Sequence, residues 1–132
     1  MMDTASVIGI GRLGLCFSLT LEGGEYSVVG CDINQDYVDS INAKTFVSHE
    51  IGVNEKLGAS KNFKATTDLE ECIAHSRLHF VTVASYSEPD GRYDVSQVDD
   101  VVDELVMLGV QEQEKHLVIC TNVNPGYSDT VH

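Results

Sequence analysis

Short apolar runs alternate with amphipathic stretches along most of the chain, and this alternation predicts strands and helices in turn. Residues 6–8 and 26–31 are apolar and rich in β-branched side chains, which is typical of short buried strands. Between them, apolar residues at helical spacing predict a helix over residues 12–22, which Gly23 and Gly24 end. The chain therefore opens with a strand, a helix and a second strand.

The same alternation continues to residue 120. We expect a second helix capped by Asn34, and the spacing of Thr67 and Glu70 predicts a capping box that begins a later helix with Thr67. Asp94 or Ser96 is expected to cap the longest helix. The remaining elements are a short helix near residues 53–57 and strands over residues 63–66, 78–83 and 117–120.

Strands that alternate with helices indicate a parallel sheet covered on both faces. Right-handed crossovers that start from the first strand give the strand order 3-2-1-4-5, so we predict a Rossmann-like, doubly wound α/β fold. In such folds a ligand lies at the carboxyl ends of the strands, where the direction of winding reverses. We therefore expect the binding site between the first and fourth strands, in one domain over residues 1–132.

A G-x-G-x-x-G motif follows the first predicted strand directly and leads into the first helix. Gly9 is expected to permit the tight turn, and Gly11 to leave room for a phosphate beside the backbone. Gly14 is expected to let the helix pack close to the strand. This strand–turn–helix context is typical of a site for the pyrophosphate of a dinucleotide.

The first turn of that helix offers free backbone N–H groups, around Arg12 and Leu13, and a positive helix end for the pyrophosphate. The Arg12 side chain either helps to hold the phosphates or points into solvent. Asp32 follows the second strand and lies 18 residues after Gly14, close to the spacing of a ribose-binding acid. Its carboxylate would repel a 2′-phosphate, so NAD is favoured over NADP.

Predicted cofactor contacts at the ends of the fourth and fifth strands follow from position. Val83 and Ser85 would line the cofactor, although Ser85 is equally explained as a serine that starts a loop. Thr121 and Asn122 lie where the nicotinamide is expected, although a turn before Pro125 would also place polar residues there.

The chain is strongly acidic, with a formal net charge of −13 and a sequence pI near 4.5. This charge argues against nucleic acid and anionic membrane as partners, and no apolar run reaches the length of a membrane span. The four cysteines lack metal-ligand spacing, so we interpret them as reduced core residues of a cytoplasmic protein. The five histidines also lack ligand spacing, and no metal site is predicted.

Seven segments, taken together and in order, resemble the UDP-glucose/GDP-mannose dehydrogenase family. The first, VIGIGRLGL, is similar to the opening V-I-G-x-G-Y-V-G-L of that family, and DGRYDVS is similar to its D-G-x-x-D-x-S. The segments are residues 7–15, 31–34, 41–43, 49–53, 65–68, 90–96 and 121–126.

The resemblance implies the NAD-binding domain of a nucleotide-sugar 6-dehydrogenase. Such enzymes oxidise a C6 alcohol to a carboxylate with two NAD⁺, and full-length members are expected to be homo-oligomers that take a small nucleotide sugar. Their catalytic cysteine lies in the C-terminal half, and none of the four cysteines here matches it, so we expect this chain alone to be inactive. Asn122 corresponds to a threonine near the reacting carbon and is the one catalytic candidate.

Departures from the family pattern keep a second hypothesis open. Tyr37 stands where a basic residue is usual, and the prolines that follow the fourth strand are absent, from which we expect a looser loop on the nicotinamide side. The alternative is a non-catalytic, stand-alone module that binds NAD or another protein. A hydroxyacid-type dehydrogenase is a third possibility, against which residues 90–96 and 121–126 argue.

Overall fold

The computed structural model describes residues 2–110 and 114–131. Five parallel strands form one sheet in the order β3-β2-β1-β4-β5, which confirms the predicted doubly wound fold. The strands are β1 Asp3–Ile8, β2 Tyr26–Cys31, β3 Phe63–Thr66, β4 Leu78–Val81 and β5 His116–Ile119. The helices are α1 Arg12–Gly23, α2 Gln35–Asn42, α3 Val53–Ala59, α4 Leu69–His75 and α5 Ser96–Met107, and a 3₁₀ helix covers Tyr127–Thr130.

Each face of the sheet has its own apolar core. On one face α1, α2 and α3 bury residues such as Leu15, Ile41 and Leu57 against β1, β2 and β3. On the other face α4 and α5 bury Cys72 and Leu105 against β1, β2 and β4. Helices cover both faces of the sheet, so side chains on both faces of a strand are buried. This explains why the strands are continuous apolar runs in the sequence.

Most predicted boundaries agree with the structure to within two residues. Asn34 caps α2 as predicted, because its side chain accepts a hydrogen bond from the Tyr37 N–H at 3.1 Å. Strand β4 ends at Val81 rather than residue 83, although the Thr82 N–H still donates to the Ile8 carbonyl at 2.8 Å. Strand β5 begins at His116, one residue earlier than predicted.

The predicted capping box at the start of α4 is wrong. Asp68 caps the helix instead and accepts from the Glu70 N–H at 3.0 Å, whereas the Thr67 hydroxyl donates to Gln35. A carboxylate at the next position is a stronger N-cap than threonine, so the helix begins one residue later. The predicted cap of α5 by Asp94 or Ser96 is also wrong, because Val95 occupies the N-cap position and makes no side-chain cap. The Asp94 carboxylate accepts from the Ser96 N–H at 3.0 Å, in a turn just ahead of the helix.

The cysteines are all free, but they are not all core residues. Cys31 and Cys72 are buried, and burial raises the pKa of each thiol to about 12, which makes them inert at neutral pH. Cys120 is exposed, so the prediction of a core position was wrong for it. The reason is that β5 is an edge strand whose Leu117 and Val118 are also 37% and 40% exposed.

Within residues 2–110 and 114–131, every helix is too short or too polar to cross a membrane. In the same residues, no group of three or more histidine, cysteine, aspartate or glutamate side chains is arranged to hold a metal ion. Of the five histidines, His132 lies outside the described residues.

Candidate functional site

The glycine turn between β1 and α1 is tightly packed at two of its three glycines. Gly9 has φ +92°, and a Cβ there would lie 2.8 Å from the Val83 backbone nitrogen. A Cβ on Gly14 would lie 2.0 Å from the Gly9 carbonyl oxygen and 2.7 Å from the Thr82 hydroxyl. These distances support the expectation that Gly9 makes the turn and that Gly14 allows helix and strand to approach.

Gly11 is different, because among residues 2–110 and 114–131 a Cβ there would meet no atom within 4 Å. It is the N-cap of α1, it carries no side-chain cap, and the first turn of α1 holds no acidic residue. The N–H groups of that turn have no partner within the helix, and the helix end carries partial positive charge. The turn thus presents unpaired backbone donors to an open space beside Gly11.

That space is an open cleft of about 550 Å³ at the carboxyl ends of β1 and β2. Asp32 lines it together with Gly11 and Arg12, so three of the predicted site residues meet there. The Asp32 backbone is held by a 3.0 Å hydrogen bond from its N–H to the Thr66 carbonyl, and its carboxylate accepts from the Asn34 N–H at 3.1 Å. The carboxylate on one side of the cleft can accept hydrogen bonds from a ribose. The backbone N–H donors on the other side can bind a pyrophosphate.

Two aromatic residues that the sequence analysis did not assign to the site form the far wall of the cleft. Tyr37 and Phe46 contact edge to face, with ring centroids 5.1 Å apart. The Tyr37 hydroxyl donates to the carbonyl of Ile10, inside the glycine turn, at 2.6 Å. Burial, with a smaller contribution from Asp32, raises the pKa of Tyr37 to about 12, so the hydroxyl keeps its proton. Tyr37 therefore joins α2 to the backbone of the turn.

The Arg12 side chain lies at the surface and pairs with Glu50 on the rim of the cleft. Its side chain is 84% exposed, and Leu13 is also exposed. The sequence left two interpretations of the Arg12 side chain, phosphate binding or exposure to solvent. In the structure the side chain points to solvent and to Glu50. Arg12 lines the cleft whereas Leu13 does not, although both residues lie in the first turn of α1.

The remaining predicted residues form a second group, at the ends of β4 and β5. The Thr121 hydroxyl donates to the Val83 carbonyl at 2.7 Å, and the Ser85 hydroxyl donates to the Asn122 carbonyl at 2.8 Å. Val83 also lies against Gly9, so this group begins at the switch between β1 and β4. None of the four residues lines the 550 Å³ cleft, and Asn122 is exposed. The site thus has two halves that meet at the glycine turn.

Comparison with known proteins adds the following findings. Residues 3–132 match the family model described as UDP-glucose/GDP-mannose dehydrogenase family, NAD binding domain. The GDP-mannose 6-dehydrogenase of Pseudomonas aeruginosa is 25% identical over 130 residues, which are 96% of this chain and 30% of that protein. A UDP-glucose 6-dehydrogenase of Haloferax volcanii is 28% identical over 116 residues, which are 86% of this chain and 27% of that protein.

Solved structures agree with the fold. The GDP-mannose dehydrogenase of Pseudomonas aeruginosa superposes with a TM-score of 0.87 at 24% identity, over 96% of this chain and 30% of that one. The UDP-glucose dehydrogenase of Pyrobaculum islandicum gives a TM-score of 0.83 at 26% identity, again over 96% and 30%. The chain thus spans about 30% of the length of the relatives it matches.

Proposed function

Because this chain belongs to the UDP-glucose/GDP-mannose dehydrogenase family and matches its NAD-binding domain, we propose that NAD⁺ lies across the carboxyl ends of the strands, with its adenosine in the 550 Å³ cleft. The proposal rests above all on the cradle at Gly11, where a Cβ would enter open space directly in front of the first turn of α1. That space suits a pyrophosphate, because backbone N–H groups and the helix end both favour an anion there. A chain with net charge −13 has few Lys and Arg side chains that could hold the phosphates instead.

The proposed roles follow from the two halves of the site. In the first half, the backbone N–H groups of Arg12 and Leu13 would hold the pyrophosphate, and Asp32 would accept hydrogen bonds from the adenosine ribose. A 2′-phosphate beside Asp32 would be repelled, and no basic side chain stands at Tyr37 to offset that repulsion.

In the second half, Val83, Ser85 and Thr121 would contact the nicotinamide riboside, and Asn122 would lie near the reacting carbon. The hydroxyls of Ser85 and Thr121 each donate to a backbone carbonyl, so toward a ligand both would act as acceptors. This division assigns seven of the ten predicted site residues to one half of the site, and the other three are the glycines of the turn between the halves.

For the whole protein we propose oxidation of the C6 alcohol of a nucleotide sugar to a carboxylate. NAD⁺, when bound, supplies the acceptor for hydride, and two NAD⁺ are consumed for each sugar. What this domain contributes is binding and orientation, and exclusion of NADP⁺ through Asp32. Four free cysteines, two of them buried and unreactive, support a reducing cytoplasmic location.

The test is calorimetric titration of the chain with NAD⁺ and with NADP⁺. We expect NAD⁺ to bind at least about tenfold more tightly, and Gly11→Val to weaken NAD⁺ binding by at least about tenfold because the added side chain enters the phosphate space. Gly23→Val is the matched control, since a Cβ at Gly23 also meets nothing within 4 Å but lies at the other end of α1. Absence of NAD⁺ binding, or equal losses in both variants, would contradict the proposal.

A second measurement addresses turnover. With NAD⁺ and either UDP-glucose or GDP-mannose, we expect the 132-residue chain to produce no NADH, because the relatives are about three times longer. NADH formation by this chain alone would contradict the assignment of the chemistry to the rest of the protein.

A further inference from the structure

Three asparagines each hold the backbone of another segment in the same way, with the side-chain amide bonded to both the N–H and the C=O of one residue. Asn124 accepts from the Tyr93 N–H at 2.9 Å and donates to the Tyr93 carbonyl at 2.9 Å. Asn54 makes the same pair of bonds to Ser48, at 2.8 and 3.0 Å, and Asn42 makes it to Ala65, at 2.9 and 2.8 Å. Each pair satisfies both polar groups of one peptide position, so it fixes direction as well as distance.

The segment that Asn124 holds is a small hairpin between β4 and α5. Ser87 and Tyr93 form an antiparallel bridge, the Glu88 N–H donates to the Arg92 carbonyl at 2.7 Å, and the turn contains Gly91 at φ +85°. Most hairpin residues are exposed, and the Tyr86 side chain is 67% exposed. Apolar burial therefore contributes little to holding the hairpin in place.

Polar contacts attach the hairpin to the loop that follows β5. Asn124 bonds to its second strand at Tyr93, and the Ser85 hydroxyl bonds to the Asn122 carbonyl at its base. Both ends of the hairpin are thus tied to residues 122–124. The prolines expected after β4 are absent here, and these hydrogen bonds supply the constraint in their place.

We propose that Asn124 is a positioning residue that sets the nicotinamide end of the NAD⁺ site, an inference that rests on the proposed function. It holds the hairpin against the loop after β5, and that loop carries Thr121 and Asn122. Without the clamp, only the Ser85–Asn122 and Thr121–Val83 hydrogen bonds would join the two segments, and the nicotinamide riboside would meet less ordered partners. The adenosine cleft contains no residue of the hairpin, so it would be unaffected.

Asn54 provides a matched comparison at the other end of the cofactor. Its partner Ser48 lines the adenosine cleft together with Phe46 and Glu50. The same type of clamp therefore orders the rim of the adenosine half. Asn42 is the control, because it joins the end of α2 to β3 and contacts neither loop.

The experiment measures the affinities of NAD⁺ and of ADP for Asn124→Ala, Asn54→Ala and Asn42→Ala, with melting temperatures alongside. ADP carries the adenosine and pyrophosphate but no nicotinamide riboside. We expect Asn124→Ala to weaken NAD⁺ binding about tenfold, which corresponds to the loss of between one and two net hydrogen bonds, and to leave ADP affinity within about twofold. Asn54→Ala is expected to weaken NAD⁺ and ADP equally, and Asn42→Ala to lower the melting temperature with the ratio of the two affinities unchanged.

Asn124→Asp serves if the alanine variant fails to fold. The aspartate keeps the acceptor for the Tyr93 N–H and loses the donor to the Tyr93 carbonyl, so we expect a loss of NAD⁺ affinity smaller than tenfold and again no change for ADP. An unchanged ratio of NAD⁺ to ADP affinity in both Asn124 variants, with normal binding by the unmutated chain, would overturn this inference alone. Failure of the unmutated chain to bind NAD⁺ would overturn the proposed function and this inference with it.

Discussion

We propose an adenosine half and a nicotinamide half of the site, and different forces hold these two groups of residues in place. Asp32 directly follows β2, and Tyr37 lies on α2, which buries Val38 and Ile41 almost completely in the first core. Ser85 and Asn122 lie instead in the loops after β4 and β5, and a few side-chain hydrogen bonds, including the pair made by Asn124, connect one loop to the other. Apolar burial thus fixes one half, and directional polar contacts fix the other.

This difference determines how each half responds to change. A side chain on a buried helix moves only if the core is disturbed, which costs several kcal/mol. A loop held by a few hydrogen bonds, each worth about 1 kcal/mol net, is displaced by one substitution. We therefore expect ligand affinity to be robust on the adenosine side and sensitive on the nicotinamide side.

The largest effect is expected where the two halves meet. Gly14→Ala would place a Cβ 2.0 Å from the Gly9 carbonyl oxygen, and backbone atoms on both sides would have to shift. We expect the free energy of unfolding to fall by at least about 3 kcal/mol, with loss of NAD⁺ and ADP binding together. Denaturant melts monitored by circular dichroism measure the first effect. Near-normal stability would show that the turn adapts and that the halves are less coupled than the packing indicates.

The next effect concerns the strand that supports the nicotinamide half. His79 on β4 is 1% exposed, and among the described residues neither of its ring nitrogens has a hydrogen-bond partner. Burial, and then the charges of Lys115 and His75, lower its pKa from 6.5 to about 4. Because the folded pKa lies below the unfolded one, the neutral ring contributes stability that is full above about pH 6.5 and is lost as pH falls toward 4.

We expect this loss to reach about 3 kcal/mol between pH 6.5 and pH 4. In His79→Leu the pH dependence of stability should shrink by about this amount, and stability at pH 7 should rise because a buried unpaired polar ring is removed. His116→Leu, at an exposed position on β5, is the control and should keep the pH dependence. Urea melts across this pH range measure the free energy of unfolding of each chain. An equal fall of that free energy with pH in the unmutated chain and in His79→Leu would contradict the prediction.

On the adenosine side, Asp32→Asn tests whether one charge selects the cofactor. The amide oxygen can still accept from the Asn34 N–H, so the fold should be kept. We expect the free energy of NAD⁺ binding to weaken by about 2 kcal/mol, because charge-assisted hydrogen bonds to the ribose are lost. The affinity for NADP⁺ should rise and approach that for NAD⁺, because the repulsion of the 2′-phosphate is removed. Paired titrations measure both affinities. A preference for NAD⁺ that survives intact would mean that Asp32 does not contact the ribose.

The smallest effect is expected for Arg12→Gln. The Arg12–Glu50 pair is exposed, and such pairs contribute less than about 0.5–1 kcal/mol to folding. We therefore expect the free energy of unfolding to change by less than about 1 kcal/mol. Since the backbone N–H groups of the first turn remain, NAD⁺ affinity should change by less than about threefold. A tenfold loss of NAD⁺ affinity in calorimetric titration would instead show that the guanidinium leaves Glu50 to hold the pyrophosphate.

Local patterns were sufficient to predict the fold and to single out the residues that we propose for the adenosine half of the site. Apolar periodicity predicted the order of strands and helices, because sheet topology follows from alternation and right-handed crossovers. The glycine turn and Asp32 were also readable, since each depends on its own backbone conformation and on a fixed spacing along one βαβ unit. Their meeting in one cleft is a direct consequence of β1 and β2 lying side by side.

Contacts between residues far apart in the chain were decided only by folding. The Tyr37 hydroxyl bonds to Ile10, 27 positions away, and Asn124 bonds to Tyr93, 31 positions away. The sequence around these residues does not predict either bond. The same holds for the unpaired ring of His79 and for the exposure of Cys120 on an edge strand. A hydrogen bond needs two atoms within about 3 Å, and only the packed sheet and its loops bring such distant groups together.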